Sequence, residues 1–171
     1  ALRPEGKAGP LVRTLASHRA YYEKWAKNWE FQAMLKARPM AGDLALAGEF
    51  VDMVWPMVWR VADNDQFVGE VQAMRRRVIS LLPAKEASTE IKLGAGGLRD
   101  VEFSVQLLQL VHGRSDERLR LRGTFEALAA LVDYGYVGRG DGYDLGPAYR
   151  LQRLLEHRVQ LYRLRRTHLM P

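Results

Sequence analysis

Cysteine is absent from the 171-residue chain. That excludes a disulfide framework and thiolate chemistry, and it suits a reducing, cytoplasmic compartment. No apolar run reaches the roughly 20 residues that a membrane-spanning helix needs. The opening Ala1-Leu2-Arg3 carries no signal-peptide pattern, so no membrane partner is expected. Strand-type alternation does not recur, no internal repeat is visible, and heptads are not sustained, which argues against a coiled coil. Histidines are few: His18, His112, His157 and His168 lie scattered, without metal-ligand spacing. No serine stands in a nucleophile elbow. Asp63-Asn64-Asp65 has the spelling of paired metal carboxylates but falls between helical patterns, where it reads as a turn. No metal ligand is expected in this chain.

What is present describes an ordinary globular protein of one domain, or one and a fraction. Hydrophobic residues make up 47% and charged residues 27%, enough to bury a real core. The net charge is +6, and arginine, which prefers planar and bidentate partners, supplies most of the cations. A sequence pI near 9.8 allows nucleic-acid binding. No zinc spacing, RNP-like strand or basic-region zipper accompanies it, however. Arg75-Arg76-Arg77 and Arg163-Leu164-Arg165-Arg166 read as solvated helix faces. The arginines scatter over at least four helices, so no nucleic-acid partner is expected.

The spacing predicts an all-α architecture of six to seven helices in an irregular bundle. Residues 1–10, with two prolines and two glycines, are loop or strand end. Helical patterns cover 11–27 and 28–37, stopped by Pro39. Tyr21, Tyr22, Trp25, Trp29 and Phe31 are expected in the core. Asp43 is expected to cap a helix to about residue 62, kinked or split by Pro56. Further helices are expected over 67–82 and 98–112, the latter closed by Gly113. Thr124 is expected to cap another. The glycine-rich stretch 135–142 reads as a loop, and Pro147 as the first turn of a last helix reaching about residue 168. The chain opens without methionine and ends straight after a helical pattern, so both ends read as cut from something longer.

One stretch organises the rest: Ile91-Lys92-Leu93-Gly94-Ala95-Gly96-Gly97-Leu98-Arg99-Asp100-Val101-Glu102-Phe103-Ser104-Val105-Gln106. Gly94, Gly96 and Gly97 allow positive φ and close backbone approach. On the helix that follows, Arg99, Glu102, Gln106 and Gln109 share one face, a polar stripe on an apolar helix. Lys92 and Arg99 bring positive charge to a helix start, a place that suits phosphate. The plainer reading of the same residues is a glycine turn before a core helix.

The same residues carry a family likeness. Lys92-x-Gly94-x-Gly96-Gly97-Leu98-Arg99-Asp100-Val101-Glu102-Phe103-x-Val105-Gln106 resembles the motif of the bifunctional glutamine synthetase adenylyltransferase/adenylyl-removing enzymes. Gly-Gly-Leu-Arg-Asp is also similar to a motif in the related uridylyltransferase of the PII signalling protein. Leu2-Arg3-Pro4-Glu5-Gly6-Lys7-x-Gly9-Pro10-Leu11-Val12 resembles the end of that family's nucleotidyltransferase lobe. Tyr22 with Trp25, the run from Trp29-Glu30 to Lys36-Ala37-Arg38, and Leu155-Glu156-His157-Arg158-x-Gln160 resemble later segments, so the likeness covers nearly the whole chain.

The resemblance implies two homologous modules, each pairing a nucleotidyltransferase lobe with a helical domain. One adds AMP to a tyrosine of glutamine synthetase, and the other removes it by phosphorolysis. The spelling here looks more like the adenylyl-removing module. Residues 1–40 would be the end of the lobe and residues 41–171 the helical domain. The family's metal carboxylates would lie upstream, the last just before Ala1, so this chain alone is expected to be inactive. Mg2+ and ATP, ADP or phosphate are expected in the intact enzyme, none tightly bound to this chain. Expected partners are glutamine synthetase and a PII-type protein. Lys92, Gly94, Gly96, Gly97, Arg99, Asp100 and Glu102 would face the cleft, with Arg3, Lys7 and Gln106 as additional candidates. Lys92 and Arg99 would contact phosphate, and Glu102 would orient Arg99 or a metal-bound water. The rival reading is a regulatory module that docks a PII-type protein or glutamine synthetase through a helical face. It calls for an exposed apolar patch away from the glycine run.

Overall fold

The computed structural model describes residues 4–164 and 167–171, and the side chain of Arg163 is not described. Arg3 therefore lies outside the described residues. Among the described residues seven α-helices follow in order: α1 (Leu15–Lys24), α2 (Asn28–Met34), α3 (Leu44–Trp59), α4 (Phe67–Ser80), α5 (Leu98–His112), α6 (Thr124–Asp133) and α7 (Arg139–Leu161). Among the described residues the only strand-like pairing is an isolated bridge between Glu90 and Leu169. The protein is all-α.

The core falls into two clusters joined by α5. In the first, Tyr22, Phe31, Met34 and Leu35 from α1, α2 and the turn after it pack with Met53, Val54, Val58, Trp59, Phe67 and Val71, and with Leu110 from the end of α5. In the second, Leu98, Val101 and Val105 of α5 pack with Leu119, Ala127, Leu128, Leu131 and Tyr149. A helix buried on two sides keeps only a narrow face for polar residues, which is why Arg99, Glu102 and Gln106 align there. Packing shows no seam at residue 40, because α1 and α2 share the first cluster with α3 and α4.

Local chemistry sets several boundaries. Thr14, not Leu11, begins α1, its side chain accepting from Ser17 N–H, and Leu11 and Val12 stay exposed. Asp43 caps α3 as expected, accepting from Leu46 N–H at 3.0 Å. Pro56 neither splits nor ends α3. It sits on the exposed side with Asp52, the residue whose carbonyl it deprives of a donor, so water can satisfy that group. Of the five aromatic residues expected inside, Tyr22 and Phe31 are buried, whereas Trp25 and Trp29 are 71% and 45% exposed.

The glycine-rich stretch is the clearest departure. Instead of forming a loop over 135–142, the chain turns at Gly135 (φ +82°) and enters α7 at Arg139, so Pro147 lies inside the helix. Tertiary packing outweighs propensity here. A Cβ on Gly142 would meet Val132 Cγ2 at 2.3 Å, so glycine lets α7 close onto α6. Gly146 has nothing within 4 Å. Gly146→Ala should therefore stabilise the fold by about 0.5–1 kcal/mol through helix propensity. Gly142→Ala should destabilise it, since overpacking costs about 1–3 kcal/mol. Thermal melts of the two variants check this, and a Gly142→Ala melting point at or above that of the parent sequence would refute the close-contact argument. The last helix stops at Leu161 rather than near 168. The segment after it returns to pair with the chain before α5: Ile91 N–H donates to His168 O at 3.0 Å, and Met170 N–H to Thr89 O at 2.9 Å.

Candidate functional site

The glycine loop is locked from inside. Leu98 N–H donates to Ile91 O at 3.0 Å, Arg99 N–H to Lys92 O at 2.9 Å and Asp100 N–H to Gly97 O at 2.9 Å. The first three amides of α5, which would serve an anion at a free helix start, are thus occupied by the loop's own carbonyls. Only Gly96 needs a positive φ (+72°), and a Cβ on Gly97 would meet Ile91 O at 2.7 Å. Gln152 of α7 donates to Gly96 O at 2.7 Å and holds the outer turn.

Arg75 of α4 grips the loop from below. It donates from Nε to Asp100 Oδ1 at 2.5 Å, from Nη1 to Leu93 O at 2.9 Å and from Nη2 to Gly94 O at 2.9 Å. Gly96 N–H donates to the other Asp100 oxygen at 2.7 Å. Burial pushes the Asp100 pKa up, but the Arg75 and Gly96 hydrogen bonds outweigh it and leave the carboxyl below its ordinary value. Arg75 is only 8% exposed, so the expectation of a solvated arginine run fails at its first member.

Lys92 is similarly committed. Its Nζ lies 2.9 Å from Oε1 of Glu156, a carboxylate 1% exposed on α7. Arg153 Nη1 bonds the other oxygen, and His168 Nδ1 stands 3.2 Å from Oε1. Burial raises the Glu156 pKa, yet Lys92, Arg153 and His168 together bring it below its ordinary 4.5. A folded-state pKa below the unfolded one contributes stability above about pH 4.5, lost as pH falls through the folded pKa. The unfolding free energy should therefore drop on acidification below that point, with a shallower drop in Glu156→Gln. Denaturant titrations from neutral to acid pH measure this, and equal slopes in both proteins would disprove the linkage.

The polar stripe of α5 divides. Gln109 is buried and donates to Leu119 O and Leu121 O at 2.7 and 2.8 Å, a structural role. Gln106 accepts from Gln32 of α2 at 2.9 Å. Glu102 accepts from Tyr149 O–H at 3.2 Å. Arg99 stands apart: its nearest carboxylate oxygen, on Glu102, is 3.7 Å away, and its guanidinium lies 5.5 Å from the Phe103 ring centroid. Among the described residues this guanidinium donates no hydrogen bond within normal range. Lys7 lies in the short turn Gly6–Ala8 ahead of α1.

Lys36, just beyond α2, was not a sequence candidate, yet it reaches the same region. Its Nζ donates to Thr124 Oγ1 at 2.8 Å. Thr124, expected as the cap of α6, is instead its first residue, and Gly123 at the cap position offers no side chain. Burial of the ammonium lowers the Lys36 pKa. Glu102 and Glu126 raise it, while Arg153 and Arg99 lower it further. No local pattern marks Lys36, because its partner Thr124 on α6 is distant in sequence. Among the described residues no group of three or more His, Cys, Asp or Glu is placed to hold a metal ion.

The fold and the loop define an all-α domain built around a Gly-Gly-Leu-Arg-Asp turn that opens α5. Residues 72–171 match the family described as GlnD PII-uridylyltransferase, and residues 1–53 the family described as Glutamate-ammonia ligase adenylyltransferase. Three relatives carry the name bifunctional glutamine synthetase adenylyltransferase/adenylyl-removing enzyme. That from Cutibacterium acnes is 68% identical over 171 residues, covering 100% of this chain and 17% of the relative. Those from Mycolicibacterium smegmatis and Corynebacterium efficiens are 63% and 61% identical over 171 residues, covering 100% of this chain and 17% and 16% of the relatives. The chain belongs to the family of bifunctional glutamine synthetase adenylyltransferase/adenylyl-removing enzymes. It spans about 17% of the length of the curated relatives it matches.

Proposed function

We propose that this chain is the helical half of a nucleotide-transferring module in such an enzyme, and that it completes a phosphate-binding cleft whose other wall is a nucleotidyltransferase lobe. The observation that carries the reading is Arg99. The two other cations tied to the motif are tightly paired, Arg75 with Asp100 at 2.5 Å and Lys92 with Glu156 at 2.9 Å. Arg99 is only loosely held, at 3.7 Å from Glu102, and its side chain is 34% exposed. A planar guanidinium with free donors beside an apolar core suits a phosphoryl group. Lys92, Gly94, Gly96, Gly97 and Asp100 then act by fixing the helix that presents Arg99, and Glu102 by orienting it.

The reaction proposed for the whole protein is phosphorolytic removal of AMP from a tyrosine of glutamine synthetase, with addition of AMP at the second module. Glutamine synthetase and a PII-type protein are the proposed partners, and the compartment is cytoplasmic. ATP, ADP, phosphate and Mg2+ belong to the intact protein. Mg2+, when bound, would screen phosphate charge, and its ligands are proposed on the lobe rather than here. Residues 1–40 are proposed to end that lobe; Tyr22, Phe31, Met34 and Leu35 are core residues, so this part would be fused to the bundle rather than hinged on it. The test is to incubate the intact protein with adenylylated glutamine synthetase. Phosphate-dependent release of ADP supports the reading, and no release with a properly folded protein overturns it.

A second reading has its own support. Leu151, Leu154 and Leu161 follow one side of α7 and are 57%, 48% and 69% exposed. Such an apolar stripe suits docking of a partner helix, as a regulatory interaction module requires.

A further inference from the structure

We infer that the cavity between α1 and α3 binds a small organic monocarboxylate with an apolar body, at a site separate from the α5 motif. The cavity has a volume of about 490 Å3, within the roughly 300–1,000 Å3 typical of small-molecule sites. None of residues 91–106 lines it. Its apolar wall is Leu15 of α1 with Ala47, Phe50 and Val51 of α3. Those three α3 positions recur at helical spacing and put one apolar stripe against α1. Leu46 also lines the cavity and is 51% exposed, so the cavity is reached from solvent there.

Arg13, His18 and Arg38 line the same cavity, each with hydrogen-bonding capacity to spare. Arg38 is exposed, and among the described residues no hydrogen bond or ion pair holds its guanidinium. Arg13 donates from Nη2 to Glu5 at 2.9 Å and from Nη1 to Ser17 Oγ at 3.4 Å, while its Nε is buried without a partner among the described residues. His18 packs its ring edge-on against Phe50, centroids 5.3 Å apart, and its Nδ1 is likewise buried without a partner. Burial, with the charge of Arg13 added to it, holds the His18 pKa below its ordinary 6.5. The ring is therefore neutral at pH 7, with one nitrogen protonated. Buried polar atoms without partners are costly, and two of them belong to residues of one cavity. Charge selects the ligand. Arg13 is matched by Glu5, and Asp43, the one acid among the described lining residues, accepts from Leu46 N–H and meets the positive end of α3. Arg38 is left over, which calls for a single negative charge rather than the roughly −1.5 to −2 of a phosphoryl group. A guanidinium pairs with a carboxylate in a planar, bidentate fork, and the wall of Leu15, Ala47, Phe50 and Val51 takes the apolar body.

The experiment is titration of the intact protein by calorimetry, with 4-phenylbutanoate in one arm and its uncharged analogue 4-phenylbutanamide in the other. One saturable site per chain is expected for the acid, with a dissociation constant below about 1 mM, and the amide should bind about tenfold or more weakly. Arg38→Met should weaken the acid by a similar factor. Arg76→Met, which removes an exposed arginine of α4, should leave it unchanged. Ala47→Phe fills the cavity and should abolish binding. If that variant melts early, Leu46→Glu, which sets a like charge at the exposed lip, replaces it under the same criterion. No saturable binding by the unsubstituted protein, the result if another part of the chain covers the cavity, overturns the site. Equal binding of acid and amide, equal losses in Arg38→Met and Arg76→Met, or unchanged binding in Arg38→Met or in the cavity variant also overturns it. The inference does not rest on the cleft proposed above. A failed titration with turnover lost in Arg99→Ala sinks this site alone, and absent adenylyl chemistry in the unsubstituted protein sinks the cleft alone.

Discussion

Arg99→Ala in the intact protein should lower adenylyl-group turnover by roughly 30- to 1,000-fold while leaving the melting temperature nearly unchanged. The size follows from deleting a preorganised donor to a phosphoryl group, worth about 2–4 kcal/mol in the transition state. Melting should be spared because, among the described residues, Arg99 donates no normal hydrogen bond and meets Glu102 only at 3.7 Å. Its one other contact, with Phe103, is a partly exposed cation–π pair worth about 0.5–1 kcal/mol. Arg99→Lys keeps the charge but loses the planar fork, so it should recover only part of the rate. Turnover and thermal unfolding are to be measured on the same preparations. A clearly lower melting point with near-normal turnover would mean that Arg99 merely pins the loop.

The opposite pattern is expected at Arg75. Arg75→Met should cost about 3 kcal/mol of stability, because it leaves Asp100 without its cation and two loop carbonyls without donors. For a domain of this size that corresponds to a fall of about 6–12 °C in melting temperature. Asp100 is one-third exposed, so water recovers part of its loss and the cost stays below that of a fully buried pair. The neighbouring Arg76 and Arg77 are exposed, and alanine at either should change stability by less than about 0.5 kcal/mol. Denaturant unfolding of the three single variants decides. Equal effects at 75, 76 and 77 would show that the grip on the loop contributes nothing.

This contrast marks where the sequence stopped being legible. Leu98 to His112 announces itself by apolar spacing, by the glycines before it and by Gly113 after it, and Asp43 marks the start of α3. These features are local. Three consecutive arginines, by contrast, look alike until it is known that Arg75 alone faces Leu93, Gly94 and Asp100. Gln109 fell on the same helical face as Arg99 by spacing, but α5 is covered at that end by the 117–121 segment, whose carbonyls take its amide. Residues 139–146 carry three glycines and still form a helix, and of the three only Gly142 is required by the close approach of α7 to α6. Lys36 could be read only as part of a helix-ending run, since the Thr124 that it donates to lies on α6. In each case the missing information was a neighbour distant in sequence.

The returning segment, paired to 89–91 through Ile91, Thr89, His168 and Met170, also bears on the order of assembly. These two short stretches are separated by all of α5, α6 and α7, so their closure entropy must be met before two backbone hydrogen bonds can form. Pairing of so little surface cannot nucleate folding, and it belongs to the last contacts made and the first released. Because it abuts the residues that open the glycine loop, its release leaves Ile91 and Lys92 held only by their bonds to α5 and to Glu90 and Glu156. Release of this pairing should therefore loosen the base of the motif while both core clusters stay packed, since Thr89, Ile91, His168 and Met170 belong to neither.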